Sequence, residues 1–310
     1  MDNLTHSLAG AVLGQMGLKR RTGLAMPALI IGANLPDIDA VAALLGPEAL
    51  AIRRGITHGP IALAVLPLLL TAALLAYAKW RPNPKRLPID RGWLLALAYL
   101  GTLSHPALDW LNSYGIRLLE PFSSRWFAGD TLFIIDVWLW AALIAGVWLS
   151  RKRERAGRSD WRTPAVASFA TICAYIAANG LMTGRAEALT AELVQQRHAA
   201  PASLVVASPV PVEFWRREMV WRDASDHGGG SYVLGQGATL SAGRTANGID
   251  HPLVEVARRQ DPRARAFLFW ARMPIARIAG EELILTDQRY DATLAHANFE
   301  VRVPLRSLRP

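Results

Sequence analysis

The chain has 310 residues, 52% of them hydrophobic, a positive mean hydropathy, a formal net charge of +9 and one cysteine. That apolar content excludes an ordinary soluble protein. The lone Cys173 excludes an intramolecular disulfide or a thiolate cluster and leaves imidazole and carboxylate as metal ligands. The basic excess does not indicate nucleic acid, because Lys and Arg gather in short loops beside apolar runs, where they orient a membrane protein.

The first apolar stretch, 4–18, contains His6 and Gln15 and runs straight into Lys19, Arg20 and Arg21. It lacks the pattern of a cleavable signal, so the N-terminus is expected to be retained. The next stretch, 24–45, forms a hairpin with it, and Asn34-Leu35-Pro36-Asp37-Ile38-Asp39 should break its helix, with one proline and two carboxylates in six residues. Segments 61–78, 132–149 and 164–182 are long enough to cross a bilayer, and 93–111 is as long but carries His105 and Asp109.

The turn at 19–21 and the loops at 79–91 and 151–162 hold most of the loop cations, whereas the opposite loops hold only Arg53, Arg54, Arg117 and Arg125. The positive-inside rule then places the former in the cytoplasm and sends the chain outside after Met182. From about Gly184 the composition becomes mixed. Short extended runs at 203–207, 212–221, 283–286 and 299–303 surround one helix at 253–272, and glycine-rich 226–237 reads as a loop without phosphate-loop spacing. The expected architecture is mainly α: a multi-spanning helical membrane domain over 1–183, then a small α+β soluble domain over 184–310.

Five positions carry ionisable residues in or beside apolar segments: His6, Asp37 or Asp39, His58, His105 and Asp109. Such residues are expensive in a membrane, so each is a functional candidate. Helical rise puts His6, Asp37 and His105 at a common depth, about 20 to 24 Å from the cytoplasmic surface, with His58 and Asp109 nearby. His105 and Asp109 have i, i+4 spacing, which sets imidazole and carboxylate on one helical face where they can share a metal or bridge two. In isolation that pair also suits a surface hydrogen bond, and 34–39 suits an Asx-capped turn. The convergence of three histidines with the carboxylates favours a metal. Each histidine follows a hydroxyl residue, Thr5, Thr57 or Ser104, which serves either to orient the imidazole or to start a helix. His and Asp ligands suit Zn²⁺, Mn²⁺ or Fe²⁺, and a metal so held makes hydrolysis available.

The blocks Thr5-His6-Ser7-Leu8-Ala9-Gly10, 34–39, Gly55-Ile56-Thr57-His58-Gly59 and Ser104-His105-Pro106 through Asp109-Trp110 resemble the YdjM-like family over about 1–185. The resemblance implies an inner-membrane, metal-dependent hydrolase of a kind described as LexA-regulated. Through remote similarity to zinc-dependent phospholipase C and the P1-type nucleases, it also implies phosphate-ester chemistry. On that match His6, Asp39, His58, His105 and Asp109 are the metal ligands, with the choice between Asp37 and Asp39 open, and Asp37 as the base if Asp39 is the ligand. The remaining histidine-histidine-glutamate set of those phospholipases has no counterpart, since the stretch after Asp109 offers Glu120, Asp130 and Asp136 but no histidine before His198. One or two ions are therefore expected, most simply zinc, with Asp130 and Asp136 as candidates for the second. Asp136 reads equally as a buried polar residue at the mouth of its span.

An arginine of the loop 112–126 would be placed to hold a substrate phosphate, although arginines and aromatics belong at any membrane interface. His198, His227, His251 and His296 are scattered and read as surface residues, the Trp-rich stretches (Phe214-Trp215, Trp221, 267–270) as core or as resting on the bilayer, and 286–290 as a salt-bridged strand. The expected partners are membrane lipids and a lipid or small periplasmic ester substrate, with no nucleic acid and with the C-terminal domain outside the inner membrane. The competing readings are a metal-binding transporter or channel, which needs polar residues through both halves of the membrane, and a non-catalytic membrane protein with a structural metal.

Overall fold

A computed structural model describes residues 1–291 and 299–308; His296 lies outside them. The helices are α1 (Asn3–Gln15), α2 (Ala25–Gly32), α3 (Ala49–Ile52), α4 (Pro60–Trp80), α5 (Arg91–Asp109), α6 (Val137–Arg155), α7 (Thr163–His198), α8 (Pro252–Gln260), α9 (Pro262–Trp270) and α10 (Gln288–Asp291). The strands are β1 (Leu204–Pro209), β2 (Arg216–Arg222), β3 (Asp226–Val233), β4 (Gly237–Ala246), β5 (Pro274–Ala279), β6 (Glu282–Asp287) and β7 (Glu300–Pro304). They fold as two compact units, Met1–Asp39 with Arg54–Gly180, and Ala40–Arg53 with Leu181–Pro310.

In the first unit, carboxylates set the helix starts. Asp2 caps α1 through the Leu4 and Thr5 amides, Asp90 caps α5 through Trp93, and Asp136 caps α6 through Trp138 and Leu139. That last cap makes the expected segment 132–149 begin five residues late, and the helix then continues into Arg151–Arg155. The break expected at 34–39 is present: α2 ends at Gly32, and the chain continues in 3₁₀ turns over Leu35–Glu48, kinked at Gly46. The cause is Pro36, which lacks an amide proton and disfavours helical backbone at Leu35.

Glycines set how closely these helices pack. A Cβ at Gly10 of α1 would stand 2.7 Å from the Leu29 carbonyl oxygen of α2, and one at Gly101 of α5 would stand 2.7 Å from the same oxygen. Only hydrogen fits at both places, so α1 and α5 close on α2 from two sides. His6 lies one turn before Gly10 and His105 one turn after Gly101. The crossing therefore delivers both imidazoles to one end of α2. Ala28, Leu29, Leu94 and Leu97 fill the core there, and Val12, Leu132, Leu139 and Leu143 fill a second one.

Three stretches, Ala25–Ile52, Pro60–Trp80 and Thr163–His198, are long and apolar enough to cross a membrane. The first is not one helix, because the 34–39 break interrupts it. Neither α5 nor α6 is among the three: α5 carries the ionisable residues near its end, and α6 runs into its terminal cations.

In the second unit, β1-β2-β3-β4 and β5-β6-β7 form two antiparallel meanders, with α8 and α9 between them in sequence. The single helix expected at 253–272 is broken at Asp261-Pro262, where Asp261 caps α9 through the Arg263 and Ala264 amides. The expected loop at 226–237 is instead strand β3, turning into β4. Its glycines are there for fit: a Cβ at Gly228 would stand 2.5 Å from the Trp221 ring, and one at Gly230 2.2 Å from the Thr239 carbonyl. Of the Trp-rich stretches, Trp221, Phe267 and Trp270 are buried core residues, whereas Phe214, Trp215 and Phe269 are exposed. At 286–290 the strand ends at Asp287, whose buried carboxylate pairs with Arg289 at 2.7 Å. Burial alone would raise the Asp287 carboxyl, but the Arg289 guanidinium holds it below the usual carboxylate range. Of the histidines here, His251 is exposed and caps α8, whereas His198 and His227 are half-buried.

Candidate metal centre

Four side chains from three places in the first unit converge: Asp37 from the 3₁₀ segment, His58 from the turn before α4, and His105 and Asp109 from the last turns of α5. One ligand atom of each lies within 4.8 Å of all the others, and all four are buried. His58 Nε2 is 3.1 Å from His105 Nε2. Asp109 Oδ2 is 3.6 Å from the first and 3.4 Å from the second, and Asp37 Oδ1 is 4.0 Å and 3.7 Å from them. A tetrahedral zinc site with bonds of about 2.0 to 2.1 Å has edges of about 3.3 Å. The five distances run from 3.1 to 4.0 Å, the two imidazoles slightly closer than that edge and the contacts to the carboxylates longer.

The outer contacts decide which atoms face inward. His105 Nδ1 is 2.7 Å from the Ala33 carbonyl, which only accepts, so this nitrogen carries the proton. Thr57 Oγ1 donates to Asp39 Oδ2 at 2.7 Å, so towards His58 Nδ1, 2.9 Å away, it can only accept. In their neutral forms both rings therefore turn Nε2 lone pairs towards each other and towards two carboxylate oxygens. Buried, that arrangement is unfavourable without a cation between them, and these donors fit one.

The two aspartates take different places. The sequence left open which of the two is the ligand, with Asp37 as the base if Asp39 is the ligand, and it is Asp37 that belongs to the converging four. Asp39 lies behind His58, accepting from Thr57 and from the Arg54 amide at 2.8 Å, with Oδ2 3.5 Å from His58 Nδ1.

His6 is fully buried beside the four. Its ring stacks on His105 at 3.8 Å, and its Nε2 is 3.3 Å from Asp109 Oδ1. Asp130 and Asp136 are not among the converging side chains. Asp136 spends one oxygen on the α6 cap and accepts the Tyr175 hydroxyl at 3.0 Å with the other.

Of the three hydroxyl neighbours only Thr57 supports its histidine. Thr5 Oγ1 serves Asp2 and the Trp140 indole, and Ser104 donates to the Gly101 carbonyl. In the loop 112–126, Arg117 pairs with Glu120 at 3.2 Å, which accounts for it structurally.

Sequence reasoning missed Arg54, counted there only as a loop cation. It is buried with a left-handed backbone, φ 53°, and places Nε 3.0 Å from Asp109 Oδ2 and one terminal nitrogen 3.1 Å from Oδ1. The other terminal nitrogen reaches Asn112 Oδ1 at 3.0 Å. The Met1 amine also lies against Asp109 Oδ1. No spacing rule marks Arg54, since its partners are 15 and 55 residues away.

Residues 1–186 match the family model described as YdjM inner membrane protein. A curated Bacillus subtilis (strain 168) protein, "Uncharacterized protein YfhP", is 28% identical over 157 residues. The match covers 47% of this chain and 45% of that relative, so the chain spans about half the length of the curated protein it matches. No solved structure matches.

Proposed function

This chain belongs to the YdjM inner membrane protein family, and from that premise we propose that it is a membrane-embedded, metal-dependent hydrolase. Its substrate is an ester, phosphate-containing or phospholipid-like, met at the outer face of the inner membrane. The observation that carries this reading is the buried set Asp37, His58, His105 and Asp109, whose two imidazoles turn Nε2 inward. Zn²⁺, with Mn²⁺ or Fe²⁺ as alternatives, would supply Lewis acidity there, polarising the ester oxygen and acidifying water.

The chain's own residues do the positioning. Asp39 and Thr57 hold the Nδ1 proton of His58, and the Ala33 carbonyl holds that of His105. Arg54 orients Asp109 with paired hydrogen bonds, leaving two His and two Asp donors in a fixed cluster. His6, with Nε2 3.3 Å from Asp109 Oδ1, would help hold a second ion there only in place of the Met1 amine, which that oxygen accepts together with Arg54.

The membrane part of the reading is that α4, α5, α6 and α7 cross the bilayer with their basic ends in the cytoplasm and the second unit outside. The outward faces of α4 and α7 support it, with Ile61, Val65, Leu68, Val166 and Phe169 exposed. A transport path is disfavoured because the ionisable buried residues collect at one end of the helices rather than along them.

The test is metal analysis of the purified full chain beside its His58→Ala and Asp109→Ala variants, with a screen of phosphodiester, phosphomonoester and carboxylester substrates. Binding of a transition metal by the wild type alone, with turnover of one ester class, is the expected outcome. Equal metal content in all three proteins would sink the metal reading, and a loaded wild type inert on every ester would sink hydrolysis.

A further inference from the structure

A second feature lies at the other end of α6, away from Asp136. Ile144, Val147, Trp148, Arg151, Lys152 and Arg155 recur at intervals of three and four, so they form one stripe along a single helical face. With Leu8 of α1 they line a groove of about 370 Å³. The opposite face of α6 is buried through Leu139, Leu143, Gly146 and Ser150. The stripe is graded along the axis, apolar from Ile144 to Trp148 and basic from Arg151 to Arg155, over about 16 Å at helical rise.

The charges in this region do not balance on that face. Arg153 pairs with Asp160 at 2.9 Å, and Glu154 is taken by Lys19 and Arg20. Arg151, Lys152 and Arg155 have no carboxylate partner among the described residues; the Lys152 ammonium lies over the Trp148 ring, 5.2 Å from its centroid. Three unneutralised cations continuous with an apolar groove match one kind of partner, a molecule with an anionic head and a hydrocarbon tail.

We propose that this α6 face binds an anionic phospholipid, its phosphate among Arg151, Lys152 and Arg155 and an acyl chain against Ile144, Val147 and Trp148. The apolar half of the stripe selects a lipid over a free phosphate or an acidic protein segment. The proposal rests on α6 lying in the bilayer.

The full chain is reconstituted in phosphatidylcholine vesicles containing phosphatidylglycerol or phosphatidylcholine brominated on the acyl chains, and tryptophan quenching is measured. The component lost in Trp148→Phe isolates the groove. Brominated phosphatidylglycerol should quench that component at several-fold lower mole fraction than brominated phosphatidylcholine. The preference should vanish in Arg151→Gln/Lys152→Gln/Arg155→Gln and persist in Arg153→Gln. Equal quenching by the two lipids, or a preference that the triple variant keeps, overturns the proposal. A Trp148 component quenched by neither lipid overturns it together with the bilayer placement of α6. Loss of the preference on adding inorganic phosphate to wild-type vesicles would also overturn it, by showing an anion site indifferent to lipid.

Discussion

His58 Nε2 and His105 Nε2 lie 3.1 Å apart while each ring gives its Nδ1 hydrogen to a fixed acceptor, Thr57 Oγ1 for the first and the Ala33 carbonyl for the second. Two imidazoles so oriented make a preorganised half-site, and adding a metal should stabilise the fold. At a free metal concentration of about 100 times Kd, thermal unfolding should reflect about 2.7 kcal/mol of added stability, removed by a chelator. His105→Ala should unfold at the same temperature with and without metal. A metal-dependent shift retained by that variant would remove His105 from the ligand set.

The different places of Asp37, among the converging four, and Asp39, behind His58, separate two kinds of loss. Asp37→Asn should abolish tight metal binding. Asp39→Asn and Thr57→Val, which act through the His58 ring, should weaken it about 10- to 100-fold. Competition against a chromophoric chelator measures all three. The reverse order for the two aspartates would restore Asp39 as the ligand.

Arg54 joins both halves of the centre, its amide on Asp39 and its guanidinium on Asp109. Arg54→Ala leaves a buried carboxylate without its main cation, a change that costs about 3 to 5 kcal/mol in comparable pairs. Added metal should recover part of that loss, because it supplies the missing charge. Arg54→Lys, lacking the fork that spans both Asp109 oxygens, should fall between Ala and wild type in chemical denaturation. A lysine variant equal to wild type would show that paired geometry at Asp109 does not matter.

Gly101 is needed for close approach. Gly101→Val meets the Leu29 carbonyl and should cost about 1 to 3 kcal/mol while spreading α5 from α2. Because His105 rides one turn further along α5, the same variant should lose metal affinity without touching a ligand. Full metal affinity at reduced stability would argue that the crossing does not set the site.

In the second unit, the buried Asp287 carboxylate is held below its ordinary value in the folded state by Arg289. An unfolded aspartate takes up its proton near pH 4. As pH falls through that range, the unfolded chain binds protons before the folded one, so the pair's contribution is complete above about pH 4 and declines on further acidification. Asp287→Asn should destabilise at neutral pH and flatten the decline, followed by unfolding of the full chain from pH 7 to pH 3. An unchanged acid limb in the variant would show that other carboxylates govern it.

Much of the site is legible in the sequence because ionisable residues stand out against apolar helices. His105 and Asp109 were paired by helical period alone, and Pro36 marked where α2 must stop. Strands β3 and β4 were not readable. Glycines that look like loop residues proved to be the clearance needed by the Trp221 ring and the Thr239 carbonyl, and clearance is a property of neighbours distant in the chain. The start of α6 was misjudged because hydropathy cannot see that Asp136 spends an oxygen capping it.

What the amino-acid sequence determined by itself was an apolar helical N-terminal region that gathers three histidines and neighbouring carboxylates, because burial cost and helical period are local and additive. Tertiary structure alone decided which aspartate faces the imidazoles, which ring nitrogens carry protons, and that Arg54 ties Asp39 to Asp109. Those outcomes depend on distances of 3 to 4 Å between residues far apart in sequence, and such distances exist only once Gly10 and Gly101 have let α1 and α5 close on α2.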